Sequence, residues 1–558
     1  MNRLQVQDYL VFLFYFIIVA GYGYWVYRRK KKATVSASHD YFLAEGSLSW
    51  WAIGASLIAS NISAEQFIGM SGSGFKMGLA ISTYEWMAAL TLIIVAVFFI
   101  PVYLKNKIYT MPQFLNQRYN GTVAMIMAVF WLLLYVVVNL TSILYLGALA
   151  VSSISGIGFW YCMIGLAIFA VIIALGGMKV IGYTDVIQVF FLILGGLATT
   201  YLALELVSDH FGGDGIMDGF RLLTTKAEDH FHMIFKKDSA NYIDLPGMTV
   251  LVGGMWIVNL NYWGCNQYIT QRALGADLKT ARSGILFAAF LKLLMPVIVV
   301  LPGIAAYVLF KENAGDISAS MQQAGELNPD RAYPTLLNLL PAGLKGLAFA
   351  ALTAAIVASL AGKINSIATI FTLDIYQKRI KPGASENNLV RTGKWVVIVA
   401  MILAIIISPF LGIDKKGGFQ YIQEYTGFVS PGIFAMFILG FFWKKTTSNA
   451  ALFATIGGFV FSFVLKILPG YMNLQWLAST GFSTLKDGIY EIPFLDRMGF
   501  VFLFCVIGMY IISMWENRNG IIPHGLEVDK SMFKVNNSFA VGALIIMGVL
   551  AALYTYFW

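Results

Sequence analysis

Helix-length runs of apolar residues recur from one end of the chain to the other, each about 20 residues long and set off by short polar or charged stretches. They begin near residues 8, 50, 79, 122, 156, 182, 247, 281, 344, 391, 420, 448, 498 and 538. The pattern predicts an all-α polytopic membrane protein with about fourteen transmembrane helices. Hydrophobic residues make up 58% of the chain and charged residues 12%, far from the balance of a soluble domain. Little sequence remains for a domain outside the bilayer.

Three of these runs are interrupted. ASNISAEQFIGMSGSG, from Ala59 to Gly74, gathers Asn61, Ser63, Glu65 and Gln66 where lipid would demand hydrocarbon. GGMWIVNLNYWGCNQ, from Gly253 to Gln267, and QYIQEYTGFVSPG, from Gln420 to Gly432, do the same, the latter with Pro431 and two glycines loosening the helix. Polar groups at membrane depth persist only against protein or a water-filled cavity, so the interruptions predict a buried solute site. The first two lie five crossings apart and so run in opposite directions. That spacing predicts a five-plus-five inverted repeat, residues 49–206 against residues 247–442. Residues 1–48 then form an extra N-terminal helix and a basic cytoplasmic loop, 207–246 an extracellular loop, and 443–558 three C-terminal helices. Gly72 and Gly74 read as close-packing positions.

Charge sets the orientation. Arg28, Arg29, Lys30, Lys31 and Lys32 follow the first run, which places that end in the cytoplasm and both termini outside. Lys415 and Lys416 dissent. Because the charge follows the apolar run, the segment does not read as a cleavable signal peptide. The net charge of +9 is spread over loops without one basic face, so no nucleic-acid partner is implied; no obligate protein partner is evident. Cys162, Cys265 and Cys505 all fall in or beside apolar runs, far apart in sequence, and give neither a disulfide framework nor a zinc spacing. The five histidines fall in loops, and His230 and His232 read as solvated surface.

A sugar offers hydroxyls that donate and accept, and its ring has a flat CH face. Its site therefore needs amide, carboxylate and ammonium partners beside aromatic rings. Gln66, Glu85, Asn259, Lys292 and Gln423 are polar groups set in apolar sequence, and Met70, Tyr84, Tyr262, Trp263 and Phe419 stand beside them. Lys292 lies about ten residues into its run, too deep for easy snorkelling. A hard cation such as sodium takes oxygens, which an unwound helix at Ala59 to Ile62 supplies as carbonyls. Ala355 offers another carbonyl and Ser359 a hydroxyl.

These residues resemble the sodium/solute symporters, in their sodium/glucose cotransporter group, over nearly the whole chain. The likeness is carried by ASNISAEQFIGMSGSG, TYEWM, YTDVIQVFF, NYWGCNQY, FAAFLKL, NSIATIFTLDIY and FQYIQEYTGFVSPG. It implies a LeuT-like inverted-repeat core, with sodium and sugar held near the bilayer centre. The family's sugar-binding positions fall on Asn61, Gln66, Glu85, Asn259, Lys292 and Gln423. The inner gate falls on Tyr262, the outer lid on Met70, Tyr84 and Phe419, and Trp263 adjoins the pocket. The sodium site falls on Ala59, Ile62, Ala355 and Ser359. Asp185 matches a carboxylate of the sodium exit route, a place where an interfacial anchor fits equally.

Three positions depart from the pattern: Ala88 and Ala358 replace serines of the sugar and sodium sites, and Asn261 replaces a tyrosine beside the inner gate. The resemblance implies no enzyme activity. It implies a sodium-coupled importer of a neutral monosaccharide, galactose or glucose, in a bacterial inner membrane. The same fold carrying inositol, sialic acid or another small solute, or acting as a membrane sugar sensor, remains open. Sodium is the only coupling ion implied, one per sugar.

Overall fold

The structure is a computed structural model that describes residues 4–28, 48–314, 317–323, 325–410 and 418–558. Lys415, Lys416 and the basic residues 29–32 lie outside the described residues. Among the described residues, ten helices are long and apolar enough to cross a membrane. Phe159–Leu175 and Ser430–Phe442 are shorter apolar helices. Peripheral helices such as Val6–Arg28 and Asn537–Tyr556 leave most of their apolar side chains on the outside, the face that hydrocarbon covers. Helix Leu344–Thr369 is the opposite: rich in Ala, with Gly and Ser among them, it is buried almost throughout, because small residues let neighbouring backbones close in.

Helix starts are set by side chains that accept otherwise orphaned N–H groups. Asn120, Asp277, Ser385, Thr447 and Asn536 each do so. Asp277 begins the Leu278–Lys311 helix, which holds the centre of the fold against Trp50–Asn61 and Ser71–Met77. Glycines make those two contacts. A Cβ on Gly54 would lie 2.6 Å from the Gly284 carbonyl, and one on Gly303 would lie 2.1 Å from the Ser71 carbonyl. Gly72 and Gly74 are packed as the sequence suggests, against the backbones of Asp330 and Val300.

Each interrupted run is broken in the backbone. The Trp50–Asn61 helix stops at Ile62, which turns extended (φ −83°, ψ 111°), and a π-helical turn resumes at Glu65–Met70. Gly254–Gly264 is separated from Gln267–Leu274 at Cys265 and Asn266. Gly418–Thr426 is separated from Ser430–Phe442, where Pro431 sits in the first turn and so costs no hydrogen bond. Beyond the predicted helices the loops hold two small hairpins, Gln322–Gln323 with Glu326–Leu327 and Thr484–Lys486 with Ile489–Glu491. The second turns through Asp487 (φ 50°) and Gly488 (φ 82°), the left-handed pair that suits a two-residue hairpin loop.

The loops sort to two ends. Arg118 donates to the carbonyls of Gly440, Trp443, Thr446 and His524, and Arg282 to those of Met532 and Lys534. These bonds gather the basic loops at one end. At the other, Lys76 meets Asp244 at 3.3 Å, Asp8 accepts from Gly343 and Gly346, and the Met233 N–H donates to Phe557. Both ends of the described chain therefore lie on the side of the 207–246 loop.

His230 departs from expectation. It is buried in that loop, its ring stacked on Tyr307 at 3.8 Å and its Nε2 3.0 Å from the Phe75 carbonyl. Its backbone also fills the space over Gly78 (φ +70°), where any Cβ would lie 2.2 Å from the His230 carbonyl. The histidine pins the loop onto the turn that follows Ser71–Met77, a role no local pattern announces.

Candidate functional site

At the first break the chain caps itself. The Ser63 hydroxyl accepts from the Glu65 N–H at 3.2 Å, while Gln66 Oε1 accepts from the Ser63 N–H at 3.0 Å. This is a reciprocal capping box, Ser-x-x-Gln, placed in the middle of the protein. It gives the N–H groups of Ser63 and Glu65 acceptors where a new helix begins at membrane depth.

Around that end the structure brings together Asn61, Glu85, Lys292, Tyr262 and Trp263. The Lys292 ammonium donates to Glu85 Oε2 and to Asn61 Oδ1 and lies 5.1 Å from the centroid of the Trp263 ring. Lys292 and Glu85 are exposed by only 1% and 4% of their side-chain surface, which excludes snorkelling. Asn61 Nδ2 donates to the Tyr262 hydroxyl at 3.0 Å, and that hydroxyl also accepts from Tyr268. A buried ammonium is tolerable here because a carboxylate, an amide oxygen and a ring face all meet it.

Other expected residues stand differently. Gln66 is spent partly on its capping box. Asn259 donates to its own helix, at the Met255 carbonyl, 3.2 Å away. Gln423 is half-buried and accepts through its backbone carbonyl from Gly427 and Thr426. Asn261 donates to Ser430 at 3.2 Å, so it ties one broken helix to another. Ala88 and Ala358 are buried.

Toward the end that carries the 207–246 loop, Tyr84 and Phe419 meet edge to face at 5.0 Å. Gly69 allows this approach, since a Cβ there would lie 2.7 Å from the Phe419 nitrogen. Met70 beside it is fully buried. Nearer the other end, Ser359 Oγ donates to the Ser60 carbonyl at 3.1 Å, joining the Leu344–Thr369 helix to the break at Ala59 to Ile62. Asp185 belongs to the same region: its Oδ2 accepts from Ser56 at 2.5 Å and lies 3.9 Å from the Arg272 guanidinium. Arg272 in turn donates to Ser56 at 2.9 Å. Asp185 is fully buried and paired with Arg272.

The sequence patterns do not single out Lys363, Asn139, Tyr268 or Arg272. Lys363 lies four residues past Ser359, hence on the same helix face. Its ammonium lies 3.9 Å from Glu65 Oε1, 3.2 Å from Asn139 Oδ1 and 4.8 Å from the Tyr268 ring centroid. A lysine embedded in AGKINS is the one signal that could have found it.

The arrangement, two buried ion pairs on either side of a tyrosine and beside a broken helix, is suited to holding and passing a polar solute. The model of the sodium:solute symporter family matches residues 41–458. The chain belongs to the sodium:solute symporter family. This symporter is 48% identical over 564 residues to a sodium/glucose cotransporter of Vibrio parahaemolyticus, covering 100% of this chain and 99% of that protein. It is 34% identical over 489 residues to sodium/myo-inositol cotransporter 2 of Homo sapiens, covering 83% and 70%. Its fold matches a Na+-coupled sialic acid symporter solved in a substrate-bound outward-open state, with a TM-score of 0.74 at 22% identity, covering 92% of this chain and 98% of that one. It is a multi-pass transporter rather than an enzyme, and sodium is its coupling ion.

Proposed function

We propose that this symporter imports a neutral monosaccharide, galactose or glucose, together with one sodium ion, by alternating access across a bacterial inner membrane. The observation that carries the reading is the Lys292, Glu85, Asn61 and Tyr262 cluster: ammonium, carboxylate, amide and phenol converge there within reach of an aromatic wall. Hydroxyls that both donate and accept match that set, and the Lys292 ammonium, already neutralised by Glu85, offers no free positive charge to hold an anionic solute. The relative named for sodium and glucose supports the same cargo.

In this reading the side chains now bonded to one another exchange those bonds for sugar hydroxyls, with Gln66, Asn259 and Gln423 completing the ring of partners. Tyr262 is the inner gate, Met70, Tyr84 and Phe419 form the outer lid, and Trp263 walls the pocket. Sodium sits between Ala59, Ile62, Ala355 and Ser359 and leaves past Asp185. Fourteen crossings in a LeuT-like five-plus-five repeat, residues 49–206 and 247–442, place both termini outside. Their position on one side with the 207–246 loop supports that orientation.

A second cargo, myo-inositol, is favoured by the relatives that bear its name. Counterflow of radiolabelled galactose, glucose, myo-inositol and sialic acid in proteoliposomes separates the two. Exchange of the hexoses supports the first reading, and exchange of inositol alone replaces it.

A further inference from the structure

The Glu65 and Lys363 pair is not part of the sugar cluster. It lies across Tyr262 from Lys292: the chain of contacts runs from Lys292 through Asn61 and Tyr262 to Tyr268, whose ring faces the Lys363 ammonium. Glu65 is 7% exposed, and its Oε1 has no hydrogen-bond partner. Lys363 is 2% exposed and approaches that same oxygen to 3.9 Å, beyond hydrogen-bond reach, while donating to Asn139 Oδ1 at 3.2 Å. A carboxylate oxygen, an amide oxygen and a ring face thus surround one positive charge at loose distances. Such a set would attract a small hard cation if the lysine were absent. The position is one helical turn beyond Ser359.

We propose that the Lys363 ammonium is a tethered cation occupying a position formed by Glu65, Asn139 and the Tyr268 ring. The position consequently draws no ion from solution, and coupling stays at one sodium per solute. The charge belongs to the helix and cannot leave, so it satisfies Glu65 throughout the cycle without being carried across the membrane. Removing it leaves a buried carboxylate without its counter-charge, which then draws in a positive charge, and at neutral pH with sodium abundant that place falls to sodium. This inference rests on the sodium-coupled reading above.

The test uses the full chain in proteoliposomes with Lys363→Met, which keeps the bulk and loses the charge. The ratio of sodium-22 to solute uptake is expected to rise from one in the parent to two in the variant, with a steeper sodium dependence. It should return to one in Glu65→Gln/Lys363→Met, where no carboxylate is left to fill. A ratio of one in Lys363→Met overturns the proposal, as does a ratio of two in the double variant. Should the single variant prove too unstable to reconstitute, its melting in detergent is followed in sodium chloride against choline chloride. Stabilisation by sodium beyond that of the parent supports the tethered cation, and none overturns it. A parent whose uptake ignores sodium would instead refute the coupled reading, a separate failure visible in the control.

Discussion

Lys292 and Glu85, 207 residues apart in sequence, form an ion pair with both side chains almost wholly withdrawn from solvent. Each is needed to make the other tolerable. Removing one partner of a buried pair typically costs about 3 to 5 kcal/mol, because the remaining charge is stranded. Lys292→Ala should lower the melting temperature in detergent and abolish hexose binding. Glu85→Gln/Lys292→Met should recover most of the melting temperature but not the binding.

Tyr262 accepts from both Asn61 and Tyr268 through one hydroxyl. Tyr262→Phe keeps the ring and loses that junction, a cost of about 0.5 to 1.5 kcal/mol in stability and a similar loss of sugar affinity, since the phenol is one of the groups that turn to the sugar. Tyr262→Ala also loses the ring and should weaken binding further. Calorimetric titration of both variants with galactose gives the order.

Ser359 donates to the Ser60 carbonyl, so its hydroxyl already bridges the two elements assigned to sodium. Ser359→Ala should raise the sodium concentration for half-maximal uptake. Ala358→Ser adds an oxygen beside it and should lower that concentration, by a gain of about 0.5 to 1.5 kcal/mol if the hydroxyl reaches the ion. A sodium titration of uptake at fixed hexose measures both.

The Gly303 contact with the Ser71 carbonyl leaves no room for a methyl group. Gly303→Ala should destabilise by about 1 to 3 kcal/mol through a forced shift of the two helices, whereas Gly548→Ala, inside the Asn537–Tyr556 helix with open space around it, should be neutral or stabilise by up to about 1 kcal/mol, since Ala is the better helix former. Melting of the two variants in the same detergent makes the comparison.

The helix breaks are legible in the sequence because a polar residue is costly in lipid, so Asn61 or Gln66 inside an apolar run marks a place where the protein supplies partners. Lys292 is legible because its depth rules out snorkelling. The capping box at Ser63 and Gln66 is equally present in the sequence. A glutamine at membrane depth reads first as a ligand, however, and its local bond to the Ser63 N–H emerges only with the backbone. Lys363 escapes because AGKINS opens a polar stretch that resembles the end of a span, while its partners Glu65 and Asn139 are remote in the chain. His230 misleads for the same reason. Its burial depends on Tyr307 and on the absent side chain of Gly78, and neither lies near it in sequence.

Solute flux into proteoliposomes under an imposed sodium gradient tests the central claim most directly. An inside-negative potential of about 100 mV supplies roughly 2.3 kcal/mol per sodium, and the account predicts concentrative hexose uptake that rises with that potential and collapses when sodium is replaced by choline or potassium. Hexose uptake that continues undiminished in both replacement salts would contradict it.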